Sequence, residues 1–132
     1  MKPSDHKLFG IAKAVARTSR HSSAHIGAVI TCGKDTISVG VNGRKSHPLQ
    51  RHYNTFRFID ERANHLMHAE LDAIVKARAF IKADASIYIY RELRSGVPGM
   101  CRPCPGCMRA LSDHNIKRIF YTTEAGLAYE EI

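Results

Sequence analysis

Apolar and polar positions along this chain change period several times, and each change marks a predicted element. Leu8, Ile11, Ala12, Val15 and Ala16 recur at helical spacing, which predicts a first helix running to about Arg20. Ser4 is its candidate N-cap, although Lys7 stands where a capping box needs Glu or Gln. Ser22-Ser23-Ala24 breaks the pattern. Ile26 to Cys32 then reads as a buried strand, Gly33-Lys34-Asp35 as a turn, and Thr36 to Val41 as a returning strand, so a hairpin is expected.

From Asn42 to roughly Asn64 the periodicity disappears. This stretch is polar, basic and aromatic, with Pro48, Tyr53, Phe56 and Phe58. A connection of that length in a small domain is usually functional or disordered, and Arg51 and Arg57 among the aromatics favour a functional one. Leu66 to Phe80 reads as a helix with Leu66, Ala69, Ala73, Ile74 and Ala77 on its apolar stripe. Ser86 to Tyr90 alternates as a strand, and Gly96 to Gly99 is a loop. Cys104 to His114 predicts a short helix with Pro105 in its first turn, and Ile116 to Tyr121 a further strand. Thr122 to Ile132 carries no clear pattern. The order α-β-β-α-β-α-β predicts a single α/β domain over residues 1–132. Its architecture would be a three-layer α/β/α sandwich with a mixed sheet and an N-terminal hairpin.

Composition narrows the function classes. At 132 residues the chain can bury a core without disulfide staples. No apolar run approaches a membrane span, and the polar start has no signal-peptide pattern, so the expected address is cytoplasmic with no membrane partner. The net charge of +8 favours an anionic partner, without separating a free nucleotide from a nucleic acid. Three of the four cysteines, Cys101, Cys104 and Cys107, lie within seven residues of one another. Such clustering reads as metal or redox chemistry rather than a disulfide framework.

The chemistry concentrates in His68-Ala69-Glu70 and Pro103-Cys104-Pro105-Gly106-Cys107. One imidazole and two thiolates give a tetrahedral zinc ion three protein ligands and leave one position for water, as a catalytic zinc requires. A CxxC at a helix N-terminus aims both sulfurs at one ion, and the positive end of the helix favours thiolates. Glu70, two residues from His68, can lie beside that fourth position without being a ligand and move the proton of a water that zinc has acidified.

These paired motifs resemble the zinc signature of the cytidine and deoxycytidylate deaminase superfamily, a pattern of H-x-E with P-C-x-x-C. Ile26 to Ile30, Gly40-Val41-Asn42-Gly43, His68 to Ile74 and Asn115 to Tyr121 are similar to the family's strand, loop and helix segments. The resemblance extends over most of residues 8–121 and implies a cytidine-deaminase-like fold with Zn2+ as cofactor. It implies zinc ligation by His68, Cys104 and Cys107, proton transfer by Glu70, a contact from the Ala69 N–H to the base carbonyl, and a sugar contact from Asn42. The implied reaction is hydrolysis of the exocyclic amine of a cytosine-type base to the uracil product and ammonia. A small nucleotide resembling deoxycytidylate is the first choice of substrate, with Arg44, Lys45 and Arg57 as candidate phosphate-binding residues. Relatives of this kind are usually oligomeric, which implies a homo-oligomer. The chain departs from the pattern in having Arg102 before Pro103, a long loop from Glu92 to Met100, and no clear second zinc set between Asn42 and His68.

Blander readings stand beside these. Cys101 with the other two cysteines and a histidine could close a structural zinc site, and the CxxC could be a redox pair, but neither accounts for Glu70. Cys101 is more simply a loop residue and Cys32 a small core residue. Asn42 alone reads as a turn residue, and the basic residues of the long connection as a solvated face. Tyr53, Phe56 and Phe58 either stack on a base or anchor that connection. Two alternative functions follow. One is a polynucleotide deaminase acting on tRNA adenosine or single-stranded cytosine. The other, of a different class, is a non-catalytic zinc-stabilised nucleic-acid-binding domain.

Overall fold

The computed structural model describes residues 1–43, 45–57, 65–82 and 84–132. The expected hairpin is present: β1 (His25–Cys32) and β2 (Asp35–Val41) pair antiparallel through a turn at Gly33, which takes a positive φ of 59°. The five-stranded sheet has the order β2-β1-β3-β4-β5. β3 (Ala85–Glu92) runs antiparallel to β1, with Ile26 opposite Arg91, and parallel to β4 (Ile116–Thr123). A parallel pair needs a crossover, which α4 (Pro105–Asp113) supplies.

Helices cover both faces. α1 (Pro3–Ala16) buries Phe9, Ala12 and Ala16 against Val29, Tyr88, Tyr90 and Phe120. On the other face α2 (Pro48–Asn54), α3 (Ala69–Ala77) and α4 enclose Ala28, Ile30, Ile87, Ile89 and Ile119. The strand period of two explains the split, since Ile87 and Ile89 face one layer while Tyr88 and Tyr90 face the other. This is the three-layer α/β arrangement with a mixed sheet that the pattern predicts. Among the described residues no helix is long and apolar enough to cross a membrane.

Element limits differ from the sequence expectation for identifiable reasons. α1 begins at Pro3, because the Asp5 carboxylate turns back to accept the Lys2 N–H at 2.9 Å; Ser4 is not its cap. It ends at Ala16 rather than near Arg20. Beyond it the Ser19 hydroxyl donates to Asn42 Oδ1 at 2.6 Å and draws the chain towards the sheet. The long connection contains a helix that periodicity did not signal: His47 Nδ1 accepts the Leu49 N–H at 3.0 Å and Pro48 opens α2. Leu66 and Met67 are extended, bridged to Ser46 and Lys45, so α3 starts only after His68. The C-terminal tail forms β5 (Gly126–Glu131), an edge strand antiparallel to β4 that lays Tyr129 on Phe120.

Candidate metal and catalytic site

The N-termini of α3 and α4 converge on one point on the sheet face opposite α1. His68 is the N-cap of α3, Cys104 is the N-cap of α4, and Cys107 lies in the first turn of α4. His68 Nδ1 is 3.2 Å from Cys107 Sγ and 3.8 Å from Cys104 Sγ. The ligand atoms of His68, Cys104 and Cys107 all lie within 4.8 Å of one another. Donors of a tetrahedral zinc with bonds of about 2.0–2.3 Å are separated by roughly 3.5 Å. The set therefore fits zinc in both donor chemistry and spacing.

Local chain geometry explains this convergence. Pro105 starts α4, and Cys104 Sγ accepts the Cys107 N–H at 3.4 Å, so the first cysteine caps the helix that carries the second. Gly106 lets the C-terminal end of α2 approach, since a Cβ there would collide with the Tyr53 carbonyl. On the α3 side, Gly40 of β2 leaves no room for a Cβ beneath Ala69 and Ala73. Asp72 accepts the Val41 N–H at 3.0 Å, and the Ser38 hydroxyl donates to the Ala73 carbonyl at 2.8 Å. These contacts fix the start of α3, and with it His68 and Glu70, against the hairpin.

Three polar residues that the sequence reading missed stand behind His68. Its main-chain N–H donates to Gln50 Oε1 at 2.9 Å. Gln50 Nε2 donates to Asn54 Oδ1 at 2.8 Å, and Asn54 Nδ2 meets His65 Nδ1 at 2.8 Å. Gln50 is fully buried and Asn54 nearly so. A polar i,i+4 pair on a helix face is an ordinary surface pattern, so the sequence carried no signal that this pair is internal.

The electrostatics match the geometry. Cys104 is held down to about 4, first by the Cys107 thiol donating to it and further by His68 and the Cys107 N–H, against the opposing effect of burial. Glu70 is buried, 6% exposed, and burial pushes its carboxyl above the usual range while nearby His68 pulls the other way. His68 is raised: burial opposes its charge, but the Cys104 sulfur and Glu70 outweigh that.

A pocket of about 280 Å³ opens over this centre, with Ile26, Asn42, His68, Glu70, Arg91 and Cys104 in its wall. Asn42 lines it as expected, but its amide is largely committed. Oδ1 accepts from Ser19 Oγ and the Ile26 N–H, and Nδ2 donates to the Ala24 carbonyl at 2.8 Å. Ala69 is fully buried at the first position of α3, where its N–H has no intrahelical partner. Arg57 lies behind the site, its Nη1 3.4 Å from His68 Nε2, and neither it nor Lys45 is in the pocket wall. Arg44 and Phe58 lie outside the described residues. Cys101 is not part of the ligand group. Its Sγ is 3.2 Å from Thr122 Oγ1, and burial pushes the thiol up to about 11. A larger groove, about 580 Å³, runs between α1 and β2, but among the described residues no histidine, cysteine or carboxylate lines it.

Fold and centre together are those of a zinc-binding deaminase domain. The sequence model described as "Cytidine and deoxycytidylate deaminase zinc-binding region" matches residues 2–123, and the chain belongs to that family. No curated protein sequence matches the chain. Among solved structures it is similar to the cytidine deaminase from Burkholderia pseudomallei, with a TM-score of 0.68 and 16% identity over 99% of this chain and 93% of that one. It is also similar to the dCMP deaminase from the cyanophage S-TIM5 in apo form, with a TM-score of 0.64 and 18% identity over 93% and 86% of the two chains. The guanine deaminase from Bacillus subtilis gives a TM-score of 0.56 and 23% identity over 93% and 65%. At these identities the likeness is one of fold.

Proposed function

We propose that the protein is a zinc-dependent hydrolase that deaminates a cytosine-type base in a small nucleotide, giving the uracil product and ammonia. The observation that carries this reading is the buried Glu70 carboxylate beside three convergent candidate metal donors at the floor of one pocket, with Glu70, His68 and Cys104 in its wall. His68, Cys104 and Cys107 would hold the ion. Zinc, when bound, would act as a Lewis acid and lower the pKa of water towards neutrality.

The chain's own residues do the rest. Glu70 takes one proton from the attacking water and delivers it to the ring nitrogen, then takes the second from the oxygen now on C4 and delivers it to the exocyclic amine. The oxygen bonds to C4, the C4–N bond breaks, and the nitrogen departs as ammonia. The raised affinity of Glu70 for a proton suits a group that must both accept and release one. The Ala69 N–H, unused by its helix, is available to the base carbonyl. The second N–H of Asn42 Nδ2 is available to the sugar, its first being held by Ala24. A pocket near the lower end of the small-ligand range favours one nucleotide unit over a strand.

The test is ammonia release by zinc-loaded protein from cytidine, deoxycytidine, their 5′-monophosphates, adenosine, and short single-stranded DNA and RNA. Glu70→Gln is the control. Turnover on a pyrimidine monomer that falls by at least about 10²-fold in the variant, with zinc retained, supports the reading. Turnover confined to strands moves the function to nucleic-acid editing. Silence across the panel with zinc bound overturns the cytosine assignment.

A further inference from the structure

We infer that Arg91 is the anion-recognising residue of this pocket and takes the phosphate of a mononucleotide; the inference rests on the deaminase reading above and narrows its substrate. Arg91 lies near the end of β3, two residues beyond Ile89, so strand alternation turns its side chain to the α3 face where the metal donors converge. It lines the pocket together with Ile26, its partner across the sheet.

The guanidinium is held in place but not neutralised. A short hairpin after β3 folds back, with the Gly99 N–H donating to the Arg91 carbonyl at 2.9 Å and Glu92 bridged to Pro98. Gly99 then packs on the arginine stem, where an added Cβ would sit 3.2 Å from Cδ. Nη1 donates to the Met100 carbonyl at 3.3 Å. Nε is buried and has no acceptor among the described residues. No carboxylate among the described residues pairs with Arg91, although Arg17, Arg102, Arg109 and Arg118 all have one. Nη2 makes no hydrogen bond among the described residues and is not buried, and a fixed cation with such a donor in a pocket wall calls for an anionic acceptor from outside the chain.

Arg102 makes the contrast. It lines the same pocket, but its Nε and Nη2 are both taken by Glu130, at 2.6 and 3.0 Å. That is the edge of a guanidinium which binds phosphate or carboxylate through two parallel hydrogen bonds. On Arg91 the bond to Met100 uses the other terminal nitrogen, Nε is closed off, and Nη2 is left accessible with no partner among the described residues. Arg57 stands behind His68, and Lys45 is outside the wall. Among the described arginines and lysines, Arg91 is therefore the pocket cation without a carboxylate partner. The phosphate monoester is the anionic group of a nucleotide that such a cation attracts.

The test compares cytidine and deoxycytidine with their 5′-monophosphates. Calorimetric binding is measured to zinc-loaded Glu70→Gln protein with and without Arg91→Gln, and kcat/KM to the otherwise unaltered enzyme and its Arg91→Gln and Arg91→Lys variants. The expected result is a monophosphate preference that falls about 10–100-fold in Arg91→Gln, with nucleoside binding and turnover within about twofold of the starting protein. Arg91→Lys keeps the charge but loses the planar group that bonds Met100 and so recovers only part of the preference. Equal losses on nucleoside and monophosphate, or an unchanged preference, overturn the inference. Preference for a short oligonucleotide over the monophosphate also overturns it. If the unaltered enzyme turns over nothing on the panel, the deaminase reading fails, and the binding comparison still decides the role of Arg91.

Discussion

The main-chain N–H of His68 donates to the side-chain carbonyl of Gln50 across 2.9 Å, which ties a metal ligand to a fully buried amide on α2. Gln50→Ala leaves that N–H without its acceptor, a loss of about 1–3 kcal/mol, and frees the His68 backbone. Zinc affinity, read by chelator competition, is expected to fall about 10–100-fold, as for other residues that orient a ligand. Gln50→Glu keeps an acceptor towards His68 and is expected to recover most of the affinity and the Co2+ absorption spectrum of the unaltered protein. A Co2+ spectrum and zinc affinity unchanged in Gln50→Ala would reduce Gln50 to ordinary packing.

Cys101 and Cys104 separate by role although they are three residues apart. Cys101 points to Thr122 and the Ile89 carbonyl, Cys104 to the metal group. Cys101→Ser is expected to keep one zinc per chain, whereas Cys104→Ser loses tightly bound zinc. Metal analysis after dialysis against a chelator checks both. Zinc loss in Cys101→Ser would mean that this thiol joins the ligand set.

Gly106→Ala drives a methyl into the Tyr53 carbonyl, a backbone atom that cannot rotate away. The expected cost is about 1–3 kcal/mol, seen as a lowered unfolding midpoint in denaturant. Zinc affinity falls with it, because the displaced element is the first turn of α4 that carries Cys107. Gly10→Ala, where nothing lies within 4 Å, is the control and is expected to be neutral or slightly stabilising.

Asp5 sets a pH window for stability. Burial alone would raise its pKa, but the Tyr88 hydroxyl at 2.6 Å and the Lys2 N–H at 2.9 Å stabilise the carboxylate, and the net shift is downward. A depressed folded-state pKa contributes stability that is fully present above the unfolded aspartate value near 3.8 and is lost as pH falls through the folded value. Asp5→Asn is therefore expected to be less stable than the unaltered chain at pH 6. The gap between their thermal midpoints should close as pH drops below 4. Measuring the metal-free proteins removes the contribution of zinc release. A gap that stays constant over this range would exclude the ionised Asp5 as its source.

The local code was strong where one residue type admits few meanings. Two thiolates at CxxC spacing before a helix, and a histidine two residues from a glutamate, predict a metal site, and the structure brings His68, Cys104 and Cys107 together. The apolar run of β1 and the alternation in β3 likewise announce strands, because one or both faces of each must be apolar. Periodicity could not announce α2. Its polar Gln50 and Asn54 face inward, and that burial is tolerable because the two amides bond each other and find His65 and the His68 N–H ahead of α3. The same holds for the last strand, whose mixed residues became β5 only because β4 offered an open edge.

Sequence by itself therefore determined the candidate metal donors, the carboxylate beside them and the layered fold, since these follow from residue chemistry and short-range spacing. The tertiary structure decided which polar residues serve them. Gln50 reaches the His68 backbone, Asn42 spends its amide largely on the start of β1, Arg102 is taken by Glu130, and Arg91 is left without a carboxylate partner among the described residues. Each of those outcomes depends on which distant segments meet, and hydrogen-bond partners across the chain are not encoded in local spacing.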